Sequence, residues 1–293
     1  MSDDKGAPGT VRKKRFPATL GAGTSAPTPP KRLWDTVDGK NKGTSFSLPT
    51  SLSVTQKPGG QAKNAGSATA RTVSSDTRAA GGMDGARQRM VQRLQQQGIR
   101  NEWVLRAMGS VARELFVDSA LVNQAYEDTS LPIGLGQTIS KPSVVARMVE
   151  LLLPENGIKL HRVLDIGTGC GYQAAVLSQL VNEVYSIERL KGLHERARVN
   201  LRPLRLKNVH LIYGDGMQGF PSGAPYDAII AAAGGENVPV AWLEQLAENG
   251  CLIAPMMTRP GVQSLIKVVR TSDGWQQYEL EAVQFVPLKS GVL

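Results

Sequence analysis

The chain is 293 residues long, 41% of them hydrophobic, and it carries 34 Lys and Arg against 25 Asp and Glu, a formal net charge of +9. Its two cysteines, Cys170 and Cys251, are too few for a disulfide framework and lack the spacing of a zinc site. The sequence shows neither an apolar leader segment nor the roughly 18 consecutive apolar residues of a membrane-spanning helix. We therefore expect an intracellular, cytoplasmic protein without a membrane partner.

The positive charge is unevenly distributed along the chain. Residues 1–85 hold 13 basic and 6 acidic residues, whereas residues 86–293 hold 21 and 19. Gly, Ala, Pro, Ser and Thr make up 49 of the first 85 residues, a composition that buries too little apolar surface to offset the entropy of folding. We predict a disordered basic extension over residues 1–85 and a folded domain over residues 86–293. The partners of the extension stay open, because a short basic run such as residues 12–15 rarely identifies one.

The folded region opens with helical periodicity. Apolar residues recur every three to four positions between Ala86 and Val111, which predicts two short amphipathic helices. Pro142 predicts the first turn of a third helix, with Ser140 as a candidate N-cap.

After Gly157, short apolar runs alternate with helical stretches. Such alternation requires crossover connections and favours a parallel sheet covered by helices on both faces. We predict an α/β, doubly wound, Rossmann-like fold, mostly parallel, with a C-terminal antiparallel hairpin of residues 264–270 and 275–285. The predicted strands are residues 162–166, 183–187, 209–213, 228–232 and 251–254, and the predicted helices are residues 172–180, 190–201 and 239–246.

The first of these strands leads directly into a loop with three glycines, Gly167, Gly169 and Gly171. Glycines at such a corner let the backbone turn sharply and let a ligand lie against main-chain amides at a helix N-terminus. We interpret the loop as a site for a nucleotide-like cofactor, since a plain tight turn, the alternative, needs only one glycine. Residues 169–174 also fit the dinucleotide pattern G-x-G-x-x-G/A, which leaves NAD open.

Three acids, Asp165, Glu188 and Asp215, end three successive predicted strands and should meet on one rim of the sheet. Glu188 is placed to accept hydrogen bonds from both ribose hydroxyls. Asp215, between Gly214 and Gly216, is placed to accept one from an adenine amino group. No phosphate-binding Lys or Arg accompanies them, and carboxylates repel a pyrophosphate, so we favour a sulfonium cofactor over NAD.

Two segments resemble one enzyme family. Residues 163–172, Val-Leu-Asp-Ile-Gly-Thr-Gly-Cys-Gly-Tyr, resemble motif I of class I S-adenosylmethionine methyltransferases. Residues 131–140, Leu-Pro-Ile-Gly-Leu-Gly-Gln-Thr-Ile-Ser, resemble the signature of the protein-L-isoaspartate O-methyltransferases. The resemblance spans residues 86–290, with further matches at residues 113–117, 186–189, 214–216, 225–230 and 283–288.

The resemblance implies a Rossmann-like methyltransferase domain that transfers a methyl group from S-adenosyl-L-methionine to the α-carboxylate of L-isoaspartyl residues in damaged proteins and peptides, which initiates their repair. It implies that Ser140 is the catalytic residue and orients the substrate carboxylate, although the residues alone favour a helix-capping role. The cofactor-binding residues that we predict are Gln137, Thr138, Ile139, Asp165, Gly167, Gly169, Gly171, Glu188, Asp215 and Gly216.

Several other functions stay open. They are another class I carboxyl or nucleic-acid methyltransferase, an NAD-dependent oxidoreductase, and a binding module without turnover. Residues 231–235, Ala-Ala-Ala-Gly-Gly, lack the Asn/Asp-Pro-Pro-aromatic motif of amino-methylating enzymes, so we expect no nucleic-acid partner for the domain. We expect a monomer, and no metal, because His161, His194 and His210 have no ligand spacing.

A few positions depart from the family pattern. Lys141 stands where the family commonly has an uncharged residue, and Ala112 stands where its bacterial members often have a proline. Residues 233–236 replace a common proline-containing stretch. Cys170 stands where the family usually has a small hydroxyl residue, and in an exposed glycine loop it should be open to alkylation.

Overall fold

The computed structural model describes residues 74–155 and 157–293, and most of the predicted extension lies outside them. The helices are α1 (Ser74–Gln96), α2 (Glu102–Ser110), α3 (Pro142–Leu152), α4 (Tyr172–Ser178), α5 (Lys191–Leu201) and α6 (Val240–Gln245). The strands are β1 (Leu131–Gly134), β2 (Gln137–Ile139), β3 (Arg162–Ile166), β4 (Glu183–Glu188), β5 (Val209–Tyr213), β6 (Tyr226–Ala231), β7 (Leu246–Arg259), β8 (Val262–Thr271) and β9 (Gly274–Val283).

A seven-stranded sheet runs in the order β5-β4-β3-β6-β7-β8-β9. The pairs from β5 to β7 are parallel, whereas β8 and β9 join antiparallel. This confirms the predicted doubly wound α/β fold with a C-terminal antiparallel hairpin. The chain first builds outward from β3 through β4 to β5 and then returns to the other side of β3 with β6. Strand order therefore reverses at β3, the place where open α/β sheets bind ligands.

The first helices pack as their apolar periodicity predicts. Met90 and Leu94 of α1 and Met108 of α2 are fully buried, and each such side chain contributes about 1.5–3 kcal/mol through burial. The side chain of Asn101 caps α2 by accepting hydrogen bonds from the amides of Trp103 and Val104. Helix α1 begins at Ser74, before the boundary that composition placed at residue 85.

Two features of the sheet region differ from the predicted elements. Strands β1 and β2 form an antiparallel hairpin with Leu131 opposite Ile139, in a segment for which no strand was predicted. Strand β7 extends well past the predicted residues 251–254, because it pairs with β8 as far as Arg259. Pro255 interrupts the apolar run of β7, which hides that continuation from a periodicity pattern.

Among the residues described, no helix has both the length and the apolar character needed to cross a membrane.

Candidate active site

A cavity of about 250 Å³ opens where β3 and β4 end. Its wall combines the β1–β2 hairpin, the glycine loop after β3, the end of β4 and the last residues of the chain. The predicted site residues that line it are Gln137, Thr138, Ile139, Ser140, Gly167, Gly169, Glu188 and Gly216. The other three, Asp165, Gly171 and Asp215, are not among the lining residues.

The glycine loop turns through left-handed backbone conformations. The φ angles of Gly167, Gly169 and Gly171 are +91°, +56° and +95°, a region that side chains rarely adopt. A Cβ on Gly169 would lie 3.2 Å from Cδ1 of Ile133 in β1. A Cβ on Gly171 would lie 3.0 Å from Cδ1 of Leu201 in α5. Gly169 thus lets the hairpin approach the cavity, whereas Gly171 lets α4 pack against α5.

Glu188 presents a fixed carboxylate to the cavity from the end of β4. Its side chain is buried, and Oε2 accepts a 2.9 Å hydrogen bond from the amide of Gly169. Oε1 accepts another, also 2.9 Å, from the amide of Leu190. Because each carboxylate oxygen has two acceptor positions, Glu188 retains capacity for a pair of ligand hydroxyls.

Asp165 supports the loop from below. It is fully buried and accepts hydrogen bonds from Nε2 of Gln173 at 2.8 Å and from Oγ of Ser186 at 2.7 Å. Ser186 also hydrogen-bonds Thr168 at 2.6 Å between their hydroxyls, and both Gln173 and Thr168 line the cavity. Burial raises the pKa of Asp165 to about 6, with the charge of Glu188 adding to the shift.

Asp215 follows β5 and caps a short 3₁₀ helix. Its Oδ1 accepts a hydrogen bond from the amide of Met217 at 2.9 Å. Its Oδ2 accepts one from the amide of Gly291 at 2.7 Å, so the last residues of the chain lie against it. The three acids do end adjacent strands, but of the three only Glu188 lines the cavity.

This C-terminal segment, residues 289–293, is fixed to the start of α5. Leu293 donates from its amide to the Arg189 carbonyl at 2.9 Å, and its carbonyl accepts from the Lys191 amide at 2.7 Å. Nε of Arg189 donates to the Gly291 carbonyl at 2.9 Å. Arg189 and Lys289 both line the cavity, two basic residues that the sequence analysis did not place beside the acids. Lys289 reaches the cavity because its segment folds back from far along the chain, whereas Arg189 directly follows Glu188 in the sequence.

Ser140 follows β2 and lines the cavity. The N-cap of α3 is Lys141, without a side-chain hydrogen bond, so the capping role considered for Ser140 is wrong. Within residues 74–155 and 157–293, the Ser140 hydroxyl has no hydrogen-bond partner, while its carbonyl accepts a 2.7 Å bond from Nη2 of Arg113. The hydroxyl is thus available to a ligand.

Neither Cys170 nor the histidines belong to a metal-binding group among the described residues, and Cys170 lines the cavity. Cys170 is only 3% exposed and burial raises the pKa of its thiol, so the expected reactivity toward alkylating reagents is wrong. His210 stacks on Tyr185 with ring centres 4.7 Å apart. The ring centres of His194 and Tyr213 lie 5.9 Å apart. The described part of the chain contains no group of three or more His, Cys, Asp or Glu that could hold a metal ion.

Comparisons with known proteins agree with this geometry. A sequence profile of the family described as protein-L-isoaspartate(D-aspartate) O-methyltransferase matches residues 85–293. A protein-L-isoaspartate O-methyltransferase from Leptothrix cholodnii is 62% identical over 211 residues, covering 71% of this chain and 75% of the relative. One from Methylibium petroleiphilum is 59% identical over 208 residues, covering 70% of this chain and 77% of the relative.

Solved structures show the same similarity. A protein-L-isoaspartate O-methyltransferase superposes with a TM-score of 0.64 at 29% identity, covering 70% of this chain and 67% of that chain. A Plasmodium falciparum protein assigned to the same activity, determined with S-adenosyl-L-homocysteine, gives 0.60 at 27% identity, covering 69% of this chain and 98% of that chain. With its glycine loop, its carboxylate at the end of β4 and these relatives, the chain belongs to the protein-L-isoaspartate O-methyltransferase family.

Proposed function

We propose that this protein is a protein-L-isoaspartate O-methyltransferase that methylates the α-carboxylate of L-isoaspartyl residues, with S-adenosyl-L-methionine as donor. One observation carries the proposal. The hydroxyl of Ser140, which has no hydrogen-bond partner among the described residues, lines the same cavity as the Glu188 carboxylate and the glycine loop. A group that can orient an anion and a group suited to a nucleoside therefore share one site.

The donor fits the residues of the cavity wall. Glu188 would accept hydrogen bonds from both ribose hydroxyls, since its two oxygens each keep one acceptor position beside the amide bonds that fix them. Gly167 and Gly169 would admit the donor close to the backbone. The carboxylate of Glu188 also favours a sulfonium cation over a pyrophosphate.

Asp215 and the backbone of residues 137–139 complete the proposed donor site. The remaining acceptor positions of Asp215 would receive the adenine amino group. Gln137, Thr138 and Ile139 would wall the reacting end, next to Ser140. Asp165 and Gly171 would act from behind the wall by holding the loop and the helix that follows it.

The reaction requires alignment more than acid–base catalysis. A carboxylate oxygen attacks the methyl carbon, the new C–O bond forms as the C–S bond breaks, and the electron pair passes to sulfur. The substrate carboxylate is already ionised at neutral pH, so no proton moves. Ser140 would donate a hydrogen bond to the other carboxylate oxygen and fix its direction. Holding both reactants together in the aligned geometry can supply about 7–11 kcal/mol of a barrier in total.

The decisive experiment compares two peptides that differ only in an isoaspartyl or an aspartyl linkage. We expect labelled S-adenosylmethionine to methylate the isoaspartyl peptide alone, because only the displaced α-carboxylate reaches Ser140. Equal labelling of both peptides would contradict the proposed specificity. Calorimetry with NAD tests the oxidoreductase alternative, for which binding of NAD and no binding of S-adenosylhomocysteine would be required.

A methyl ester formed in this way can re-cyclise and reopen in part to normal aspartate, so we propose that the activity serves protein repair. The cytoplasmic location and the monomeric state expected from the sequence stay predictions.

A further inference from the structure

A guanidinium group lies fully buried directly behind Ser140. Arg113 opens a short 3₁₀ helix, Arg113–Phe116, and has no exposed surface. Its Nε donates to the Ala125 carbonyl and its Nη2 to the Ser140 carbonyl, both at 2.7 Å. One arginine therefore connects the segment before β1 with the active-site serine.

The charge of Arg113 has no counter-ion among the described residues. None of their ion pairs includes it, and Nη1 is buried without a hydrogen-bond partner. Asp128 attracts the guanidinium from a distance, but its carboxylate accepts hydrogen bonds from Ser143 and Gln97. A buried arginine stays protonated, and an uncompensated buried charge is costly to stability.

The guanidinium also packs against an aromatic ring that lines the cavity. Its Cζ lies 4.6 Å from the ring centre of Tyr172, and Phe116 packs edge-on against the same ring at 5.5 Å between centres. Tyr172 lines the cavity together with Ser140. The positive charge thus lies behind the part of the wall that Ser140 and Tyr172 form, whereas the Glu188 carboxylate lies at the end of β4.

We propose that Arg113 is a positioning residue for methyl transfer: it holds Ser140 in place through the Ser140 carbonyl, and its charge attracts the substrate carboxylate. The inference rests on the proposed function, and it explains why the fold retains a buried cation without a counter-ion. The cavity then has opposite charges on its two sides, with Glu188 facing the sulfonium donor and Arg113 behind the anionic acceptor. The guanidinium does not itself touch the reacting atoms.

The test compares Arg113→Gln, Arg113→Lys and the unmodified protein in steady-state methylation of an isoaspartyl peptide. Loss of the charge should raise KM for the peptide at least about tenfold, and loss of the hold on Ser140 should lower kcat. Arg113→Lys keeps the charge, but a single ammonium group cannot bridge two carbonyls as the planar guanidinium does. It should therefore recover KM more than kcat. The affinity for S-adenosylhomocysteine should stay within about twofold of the unmodified protein.

A neutral substrate analogue separates attraction from packing. An isoaspartyl peptide whose α-carboxylate is replaced by a carboxamide should inhibit the unmodified protein and Arg113→Gln equally, because it carries no charge at that position. If the analogue inhibits Arg113→Gln less well than it inhibits the unmodified protein, by as large a factor as KM for the charged peptide rises, the electrostatic part of the proposal is overturned.

Arg93 provides the matched control. It lies in α1 and donates from Nη2 to the carbonyl of Tyr126, beside the Ala125 carbonyl that Arg113 holds, but it does not reach Ser140. Arg93→Gln should lower the melting temperature and leave kcat and KM unchanged. Equal kinetic losses in both glutamine variants, or unchanged kinetics in Arg113→Gln, would overturn the proposal.

If Arg113→Gln does not fold, the split between KM and kcat in Arg113→Lys decides, and unchanged values there count against the proposal. Turnover by the unmodified protein separates the two hypotheses. Without it the proposed function itself fails, whereas normal turnover together with unaffected Arg113 variants rejects only the role of Arg113.

Discussion

Ser140 and Glu188 differ in how their side chains are bonded, and that difference sets their proposed roles. Both oxygens of Glu188 accept backbone amides, which fixes the carboxylate before any ligand arrives. The Ser140 hydroxyl has no partner in the described chain, while its backbone is held by Arg113. A fixed acceptor suits a donor that must bind tightly, and an available hydroxyl suits a substrate that comes and goes.

Ser140→Ala should lower kcat about 10- to 100-fold, since one orienting hydrogen bond to a charged group contributes roughly 1.5–3 kcal/mol. Steady-state methylation of an isoaspartyl peptide measures this. The dissociation constant for S-adenosylhomocysteine, measured by calorimetry, should stay unchanged because the hydroxyl contributes nothing to the donor contacts. Unaltered turnover would reject the catalytic role of Ser140.

Asp165 should make stability depend on pH. Burial raises its pKa from 3.8 to about 6, so between these values the folded protein holds a proton that the unfolded chain has lost. Its contribution to stability therefore increases as pH falls through this window, by on the order of 3 kcal/mol.

Asp165→Asn has no such proton to gain, and Asn can still bond Gln173 and Ser186. Urea unfolding at pH 7 and pH 4 should show the unmodified protein gaining stability relative to this variant at the lower pH. A constant difference between the two proteins would show that the folded-state pKa of Asp165 is not raised.

At the scale of elements, two segments that lie outside the seven-stranded sheet close the cavity. The β1–β2 hairpin brings Ser140 to the glycine loop because Gly169 leaves room for Ile133, and Nη1 of Arg196 holds the Ile133 carbonyl at 2.7 Å. On the opposite side, residues 289–293 lie against Asp215 and the start of α5. The proposed donor site is therefore completed by one segment that precedes the motif I sequence and one that follows it.

Removal of residues 290–293 should weaken binding of S-adenosylhomocysteine several-fold, since Leu293 lines the cavity and Gly291 holds the Asp215 carboxylate. Calorimetry on the shortened protein measures the change. Tighter binding after the deletion would show instead that the segment competes with the donor for Asp215.

Asp215→Ala should weaken the same ligand about tenfold through loss of the adenine contact. Introducing the substitution into the shortened protein separates the two roles of Asp215. If Asp215 binds adenine directly, the substitution costs affinity in both backgrounds. If Asp215 acts only through Gly291, the substitution has no further effect once the segment is gone.

For the whole molecule, the reversal of strand order at β3 places the cavity, and the cavity draws on residues from Ile133 to Leu293. The family profile covers residues 85–293, which leaves most of the basic extension outside the similarity. The chemistry of the site and the positive charge of the extension thus belong to different parts of the chain.

A protein that begins at Ser74 should keep kcat/KM for an isoaspartyl peptide within about twofold of the full chain, because every residue that lines the cavity lies downstream of it. Parallel assays of the two proteins at equal concentration test this. A large fall in kcat/KM with unchanged thermal stability would show that the extension takes part in substrate binding.

The sequence by itself determined the α/β fold, the glycine loop and the family, because these depend on local patterns: alternating apolar runs, three glycines in one turn, and the stretch around Ser140. It placed Asp165, Glu188 and Asp215 at the ends of neighbouring strands for the same reason, since adjacent parallel strands end on one rim.

Only the tertiary structure decided which of these acids faces the cavity, since that depends on what packs against each carboxylate. Gln173 and Ser186 enclose Asp165, and Gly291 covers Asp215 from far along the chain. The role of Arg113 was equally hidden. Its partners Ala125 and Ser140 meet it only after the chain folds, and no sequence pattern encodes which carbonyls a buried guanidinium will reach.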